Sequence, residues 1–513
     1  MSQLRQDEQE LNRGLGGFDA TMLVIGIVIG SGIFLTTGTI ARDLPSPLLI
    51  LLAWLLGGVL SLAGALTFAE LGAAWPQSGG LYVYLREAYG PLAAFLFGWL
   101  TFLVYQTGAA AAVAVGFAEY LGYFLPLLGT DRPLWQLTIG PATWSVSVGQ
   151  VAACVALLSL TATNVHGVRT ATLVQNGLSA VKLLAVGAFA VVGVWLGREG
   201  DVIGAPWAAP PSGSWITALG VALVAVLWTF DGWHNITFAA AEIRQPERNI
   251  PRALIAGTLI VTAVYLLTNL AYLKALPVDR LSGEVRVAEK AAAALFGPVA
   301  TGLISGAVLV STLGATNGVL LTGARVYFAM ARDGLFLSAA ARVHRRYRTP
   351  SVALWAQGAW ACLLALSGRF EQLFTYSTFA VMLIYLAAGA SVFMLRRKRP
   401  DAVRPYRVPG YPWVPGVFLV ATGLLLVNTV LTRPVESLAG LGFLVAGVLV
   451  YMWLRRSSAR ANRSLRGSGA TEAIPCADQG IATPPTAARD DTGPAVPSAA
   501  GENPRLIRPE GNE

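Results

Sequence analysis

The sequence predicts an all-α integral membrane protein with about twelve transmembrane helices, two of them broken, arranged as a 5+5 inverted repeat. Three observations lead there: the composition, the run of apolar segments, and a matched pair of interruptions. Hydrophobic residues fill 55% of the 513 positions and charged residues only 13%, with a mean hydropathy of +0.58. A soluble chain carries roughly a quarter charged residues. Lipid must therefore be the solvent for much of this one.

Apolar runs lie near residues 18–40, 46–74, 92–121, 147–165, 171–197, 214–242, 251–275, 297–329, 350–367, 373–396, 413–432 and 436–455. Crossing about 30 Å of hydrocarbon takes roughly 20 residues, so each is a candidate span. The first carries Gly26-Ile27-Val28-Ile29-Gly30-Ser31-Gly32-Ile33-Phe34, with glycines at its centre. The sixth carries Trp228-Thr229-Phe230-Asp231-Gly232-Trp233-His234-Asn235, an acid and polar groups at mid-span. These interruptions fall five segments apart, as an inverted repeat requires. Repeat one then covers about 18–197, repeat two about 214–396, and extra helices 413–455 complete a transporter domain over 14–456.

Residues 1–13 lack a basic n-region and a small-residue cleavage site, so they read as a cytoplasmic N-terminus and not a removable signal. With alternating spans, the inside loops hold Arg86, Arg169, Arg244, Arg248, the Arg342–Arg348 group and the Arg396–Arg399 cluster. Outside loops are sparser in basic residues, so both termini are expected in the cytoplasm of a cell bounded by this (inner, cytoplasmic) membrane. The net charge of +9 is thereby assigned to anionic headgroups, and nucleic acid is not expected as a partner. Residues 457–513 are rich in Ala, Pro, Gly and Ser with charge, a composition that cannot bury enough apolar area to order itself. They read as a disordered cytoplasmic tail.

No cofactor or metal is expected. Cys154, Cys362 and Cys476 give no disulfide framework, and His166 and His344 have no metal-ligand spacing. A phosphate-binding glycine loop is absent, which removes support for ATP-driven transport. With no nucleophile–base pair visible, the chain does not read as an enzyme.

Unwound backbone survives in a bilayer only inside protein or beside a water-filled cavity. Glycine at 30 and 32 lowers the cost of leaving helical geometry and lets a ligand reach the main chain. Where the first span resumes, near Ser31 to Ile33, free N–H groups and the positive dipole end suit a carboxylate. Carbonyls released at Val28 and near Phe230 suit an ammonium. One zwitterionic α-amino acid satisfies both. The competing reading is a helix-packing face, since Gly26 and Gly30 have small-xxx-small spacing.

A mid-membrane carboxylate at Asp231 costs at least about 2.5–3.5 kcal/mol on insertion scales, so it should face a cavity with a partner. It either meets a substrate cation or caps neighbouring N–H groups. Trp228 offers a rigid face able to close over a ligand, or packs conventionally. Lys182, near the middle of span five, either carries a proton, stands as a fixed cation, or pairs permanently with Asp231. Ser311 and Thr312 could offer hydroxyls to Lys182 or to a cation. Glu70 and Glu119 sit near span ends, where exposure is affordable. Glu242 opens a charged, proline-punctuated turn through Arg252. His234 reads as a hydrogen-bonding group beside the break.

Taken in order, further motifs join the two breaks. They are Glu70-Leu71 with Pro76, Ser78-Gly79-Gly80, Tyr82, Tyr84 and Gly90-Pro91, then Glu242 with Asn249-Ile250-Pro251-Arg252-Ala253. Arg396-Arg397-Lys398-Arg399-Pro400 and Arg404-Pro405-Tyr406 close the series. With these, the chain resembles the amino acid–polyamine–organocation superfamily, in its L-type amino acid transporter branch. The resemblance implies a LeuT-type fold working by alternating access, as an exchanger or a proton-coupled symporter of amino acids. By position it assigns main chain at Val28 to the substrate amine and at Ser31 and Gly32 to its carboxylate, with Gly30, Ile33, Phe230 and Asp231 around them. Trp228 matches the gating aromatic. Lys182 matches a lysine in the space of a sodium site, with Ser311 beside it, implying coupling without sodium. Members that join a glycoprotein heavy chain use a cysteine between spans three and four. Residues 126–146 hold none, so no disulfide-linked heavy chain is expected. Polyamine or amine transport, and a sensor that binds without flux, are the rival functions.

Overall fold

The structure is a computed structural model that describes residues 11–139, 142–198, 200, 202, 210, 213–367, 370–432 and 434–467. Nine helices among the described residues are long and apolar enough to cross a membrane, and a bent pair makes ten. The pair is α1 (Gly17–Val28) and α2 (Gly32–Asp43), inclined at 42° across the glycine-rich break. The next spans are α3 (Pro47–Ala74), a short α4 (Leu81–Tyr89), and α5 (Pro91–Phe124), which contains one wide π turn at Thr101–Tyr105. A two-stranded antiparallel hairpin, β1 (Pro133–Ile139) and β2 (Ala142–Ser147), leads to α6 (Val148–Val165). Its start is fixed by a reciprocal cap: Gln150 N–H donates to Ser147 Oγ at 3.1 Å, and Ser147 N–H to Gln150 Oε1 at 2.8 Å.

Next come α7 (Val168–Leu196) and the sixth span, made of α8 (Trp215–Thr229) and a tight 3₁₀ segment Trp233–Glu242. Between them Gly232 takes φ +103°, and a Cβ there would lie 2.3 Å from Ile27 Cγ2. Only glycine meets both demands. The chain continues through α9 (Pro246–Ala275), short α10 (Val278–Leu281) and α11 (Val287–Phe296), and α12 (Pro298–Arg332). The two remaining predicted places go to α13 (Ser351–Ser367, 17 residues) and α14 (Phe370–Lys398, 29 residues). Finally α15 (Trp413–Thr432) and α16 (Pro434–Gly467) end the described helices. The last helix runs through Gly467, past the point where composition begins the tail; residues 468–513 lie outside the described residues.

Glu70, expected near a span end where exposure is affordable, is buried, as is Glu242 at the start of the charged turn. Glu119, given the same expectation as Glu70, is half-buried. Glu70 is 1% exposed, gripped by Arg396 (Nε–Oε1 2.9 Å, Nη2–Oε2 2.6 Å) and by the Val408 N–H at 2.8 Å. Glu242 is 0% exposed and takes two bonds from buried Arg325, at 2.6 and 3.0 Å. An ion so placed is tolerable only when paired and hydrogen-bonded. Beside Glu242, the Leu15 N–H donates to its carbonyl and the Arg244 N–H to the Leu15 carbonyl. This ties the start of the described chain to the same corner.

Candidate functional site

At the first break, helical hydrogen bonding stops and several carbonyls need other donors. Lys182 of α7, itself 0% exposed, serves two of them, its Nζ donating to Gly26 O at 2.7 Å and Ile29 O at 2.8 Å, and it donates as well to Ser311 O of α12 at 2.8 Å. Ser311 of α12 adds its hydroxyl, donated to Ile29 O at 2.8 Å and Gly30 O at 3.1 Å. Lys182 therefore binds main chain and does not pair with Asp231. Thr312 bonds back to its own helix, at Val308 O and Leu309 O. Gly26 is a close-approach position, because a Cβ there would stand 2.1 Å from both Gln175 Nε2 and Ser179 Oγ. Gly30 is not, since its nearest neighbour would be Ala315 Cβ at 3.6 Å. The packing-face reading thus fits the first glycine and not the second.

The Val28 carbonyl is a correction to the sequence reading. It was expected to be unpartnered, yet it accepts from Tyr265 Oη at 2.7 Å and from the Gly30 N–H at 2.8 Å. The same Tyr265 hydroxyl reaches Thr229 O at 3.0 Å. One tyrosine of α9 therefore joins the two broken spans. Both carbonyl lone pairs are engaged, so a ligand ammonium at Val28 must displace one of these donors.

At the other end of the break the fit is closer to expectation. Gly32 and Ile33 open α2, where first-turn N–H groups have no partner within the helix. Ser31 is 1% exposed and its Oγ has no hydrogen-bond partner. A cavity with about 460 Å³ of empty volume lies here, with Val28, Gly30, Ser31 and Gly32 on one wall. Trp228, Asp231 and Asn235 of the sixth span form the facing wall. Asn235 Oδ1, and Gln106 Oε1 of α5, are also buried without partners beside this space. Buried polar atoms are rarely left unmatched in native proteins. Three around one cavity mark where a polar ligand would be welcome. Ile33 and Phe230 are not among the lining side chains; Phe230 packs between Trp54 and Tyr265.

Trp228 and Asp231 also line a second cavity, of about 510 Å³, toward α3, α14 and α15, so they form the partition between the two. Asp231 is held chiefly by hydroxyls, since Tyr105 donates to it at 3.1 Å and Tyr385 also contacts it, with the Gly232 main chain a further partner. His234 adjoins both tyrosines, in keeping with the hydrogen-bonding role expected of it. Tyr105, Tyr265, Tyr385 and Gln106 escape a linear reading, because nothing in their local sequence points toward a break on another span. Asn235 lies in the sixth-span motif, where linear sequence gives it no role of its own.

Two broken rods converging on a polar cavity, inside a shell of spans, are the architecture of a membrane carrier. Comparison with known proteins agrees. A family profile described as amino acid permease matches residues 15–454. The serine/threonine exchanger SteT of Bacillus subtilis (strain 168) is 32% identical over 462 residues, covering 89% of this chain and 100% of its own. The large neutral amino acids transporter small subunit 2 of Rattus norvegicus is 31% identical over 451 residues, 86% of this chain and 80% of its own. The b(0,+)-type amino acid transporter 1 of Mus musculus is 28% identical over 465 residues, 89% and 92% of the two chains. The chain belongs to the amino acid permease family, as a multi-pass membrane transporter and not an enzyme.

Proposed function

We propose that the chain moves amino acids across the cytoplasmic membrane by alternating access, as an exchanger or a proton-coupled symporter that needs no sodium. The observation that carries this reading is the single cavity shared by both breaks, with the unpartnered Ser31 hydroxyl beside the start of α2. The substrate carboxylate rests on the Ser31–Ile33 turn, where N–H groups and the helix dipole both favour an anion. The ammonium lies toward the sixth span, competing with Tyr265 for the carbonyl edge and using the free acceptor oxygens nearby. Lys182 occupies the place of a cation among the break carbonyls, which supports coupling without sodium. Trp228 closes the cavity, and Asp231 tunes which side chains enter. Both termini face the cytoplasm, as the arginine-rich loops favour, and the chain works without a disulfide-linked heavy chain.

The test is counterflow in proteoliposomes with a panel of amino acids, serine and threonine included because one relative is named for exchanging them. It is repeated without sodium and with an imposed pH gradient. Counterflow of α-amino acids supports the reading. Equal transport of ligands lacking the α-carboxylate would replace it with amine transport, and binding without counterflow would make the chain a sensor.

A further inference from the structure

A closed ring of four side chains stands at the partition between the two cavities. Tyr105 Oη lies 3.1 Å from Asp231 Oδ2, 3.3 Å from Oδ1, and 3.2 Å from His234 Nε2. Tyr385 Oη contacts Asp231 Oδ1 and lies 3.1 Å from His234 Nδ1. Each hydroxyl thus bridges the acid and the imidazole, and both ring nitrogens are engaged. His234 is 0%, Tyr105 1% and Tyr385 8% exposed. Asp231 alone opens onto both cavities.

Counting hydrogens decides the state of this ring. There are four bridging contacts, two from each tyrosine. A carboxylate brings no hydrogen, a neutral imidazole brings one, and each tyrosine brings one. Three side-chain hydrogens cannot fill four side-chain contacts, so at one of them two lone pairs would face each other. One added proton closes the ring, whether it rests on the imidazole or on the carboxyl. It also makes the group electrically neutral, which the membrane interior favours. Among the described residues, no charged side chain from elsewhere hydrogen-bonds into this ring. Tyr265 spends its hydroxyl on main chain, and Phe68 and Phe418 are apolar neighbours. The nearest spans carry Lys182, Glu242, Arg325, Glu70 and Arg396, each engaged elsewhere, and Glu119, which lies toward the far end of α5 near Arg286.

We propose that Tyr105, Asp231, His234 and Tyr385 form a proton-binding site, and that a cationic substrate side chain reaching Asp231 displaces its proton. With the proton in place the partition is neutral and admits neutral amino acids. When the proton leaves to water, the ring carries one negative charge, which the ammonium or guanidinium of a lysine- or arginine-like side chain then balances. Charge and atoms are conserved: one cation enters and one proton departs. The proposal rests on reading the cavity as an amino acid site.

The experiment uses the full-length protein in nanodiscs, in weak buffer with a pH-indicating dye, titrated with lysine and separately with serine. Both ligands bring the same α-amino and carboxylate groups, so their difference isolates the side chain. Lysine is expected to release about one proton more per site than serine. Its apparent affinity should fall by up to about tenfold for each unit drop in pH, by linkage, while that of serine stays flat. In Tyr385→Phe, two hydrogens remain for two contacts and the shortage vanishes, so the extra proton release should disappear although lysine still binds. A merely structural tyrosine would leave that stoichiometry unchanged. The proposal is overturned if lysine binds with no more proton release than serine, or if serine binds and lysine does not at any pH. If neither binds, and no amino acid shows counterflow, the transport reading itself falls and takes this proposal with it.

Discussion

Replacing Arg325 by methionine tests whether the buried pair at the end of the sixth span holds the molecule together. Both partners are essentially inaccessible, at 1% and 0% side-chain exposure. The guanidinium makes two bonds to Glu242 and a third to the Leu321 carbonyl. Removing it leaves a carboxylate buried without its counter-ion, which costs about 3–5 kcal/mol. At about 1.4 kcal/mol per factor of ten, that is a shift of roughly 10²–10⁴ in an equilibrium constant. The assay is reversible unfolding in mixed detergent micelles, read by tryptophan fluorescence, alongside counterflow. Arg325→Met should lose stability in that range and transport with it. Adding Glu242→Leu removes the stranded charge and should recover stability to within about 1 kcal/mol of the parent, since two apolar groups often replace a buried pair without loss. A single substitution costing under about 1 kcal/mol, or a double no better than the single, would refute this account.

Other outcomes follow from the same geometry. Lys182→Ala gives up three charge-assisted bonds of about 1.5–3 kcal/mol each but also the cost of burying an ammonium, several kcal/mol. Folding should therefore change little, while counterflow drops at least about tenfold as the break loses its clamp; an unchanged pH dependence of the residual flux would end any coupling role for this lysine. Gly26→Ala should destabilise by about 1–3 kcal/mol through overpacking against Gln175 and Ser179, whereas Gly30→Ala should cost under about 1 kcal/mol, with thermal melts as the check. Asp231→Asn should change the ratio of cationic to neutral amino acid uptake; equal effects on both would remove its selectivity role. Glu70→Gln should cost about 1–3 kcal/mol by weakening the bonds from Arg396 and the Val408 N–H, again visible as a lower melting temperature.

The breaks were legible because glycine and a mid-span acid are costly in a lipid-facing helix, so their presence is itself information. Lys182 was legible for the same reason. What it would bind was not: the sequence offered Asp231 or the hydroxyls of Ser311 and Thr312, and the structure gives it three carbonyls. The Val28 carbonyl was misread because its partner, Tyr265, lies 237 positions away, in a span with no local mark of that task. Glu70 was misread more simply, and Glu242 was read only as the start of a charged turn. Position near a span end suggests exposure, but their arginines come from 326 and 83 positions along the chain. Linear order does not say what packs over an end. Orphaned oxygens at Ser31, Gln106 and Asn235 belong to the same class, because emptiness around an atom is visible only in three dimensions.

The wide turn at Thr101–Tyr105 has a consequence for anyone altering this span. Thr107 Oγ1 reaches back five positions to the Phe102 carbonyl, a reach that a regular helix does not need. In effect the turn lets in one surplus residue, and each residue of helix rotates the chain by about 100°. Deleting a single residue there would leave hydropathy and length nearly untouched, yet it would swing either Tyr105 or everything before it to another azimuth. The phase of the whole span is set by that small irregularity, and a variant library that ignored it would scramble the Asp231 neighbourhood.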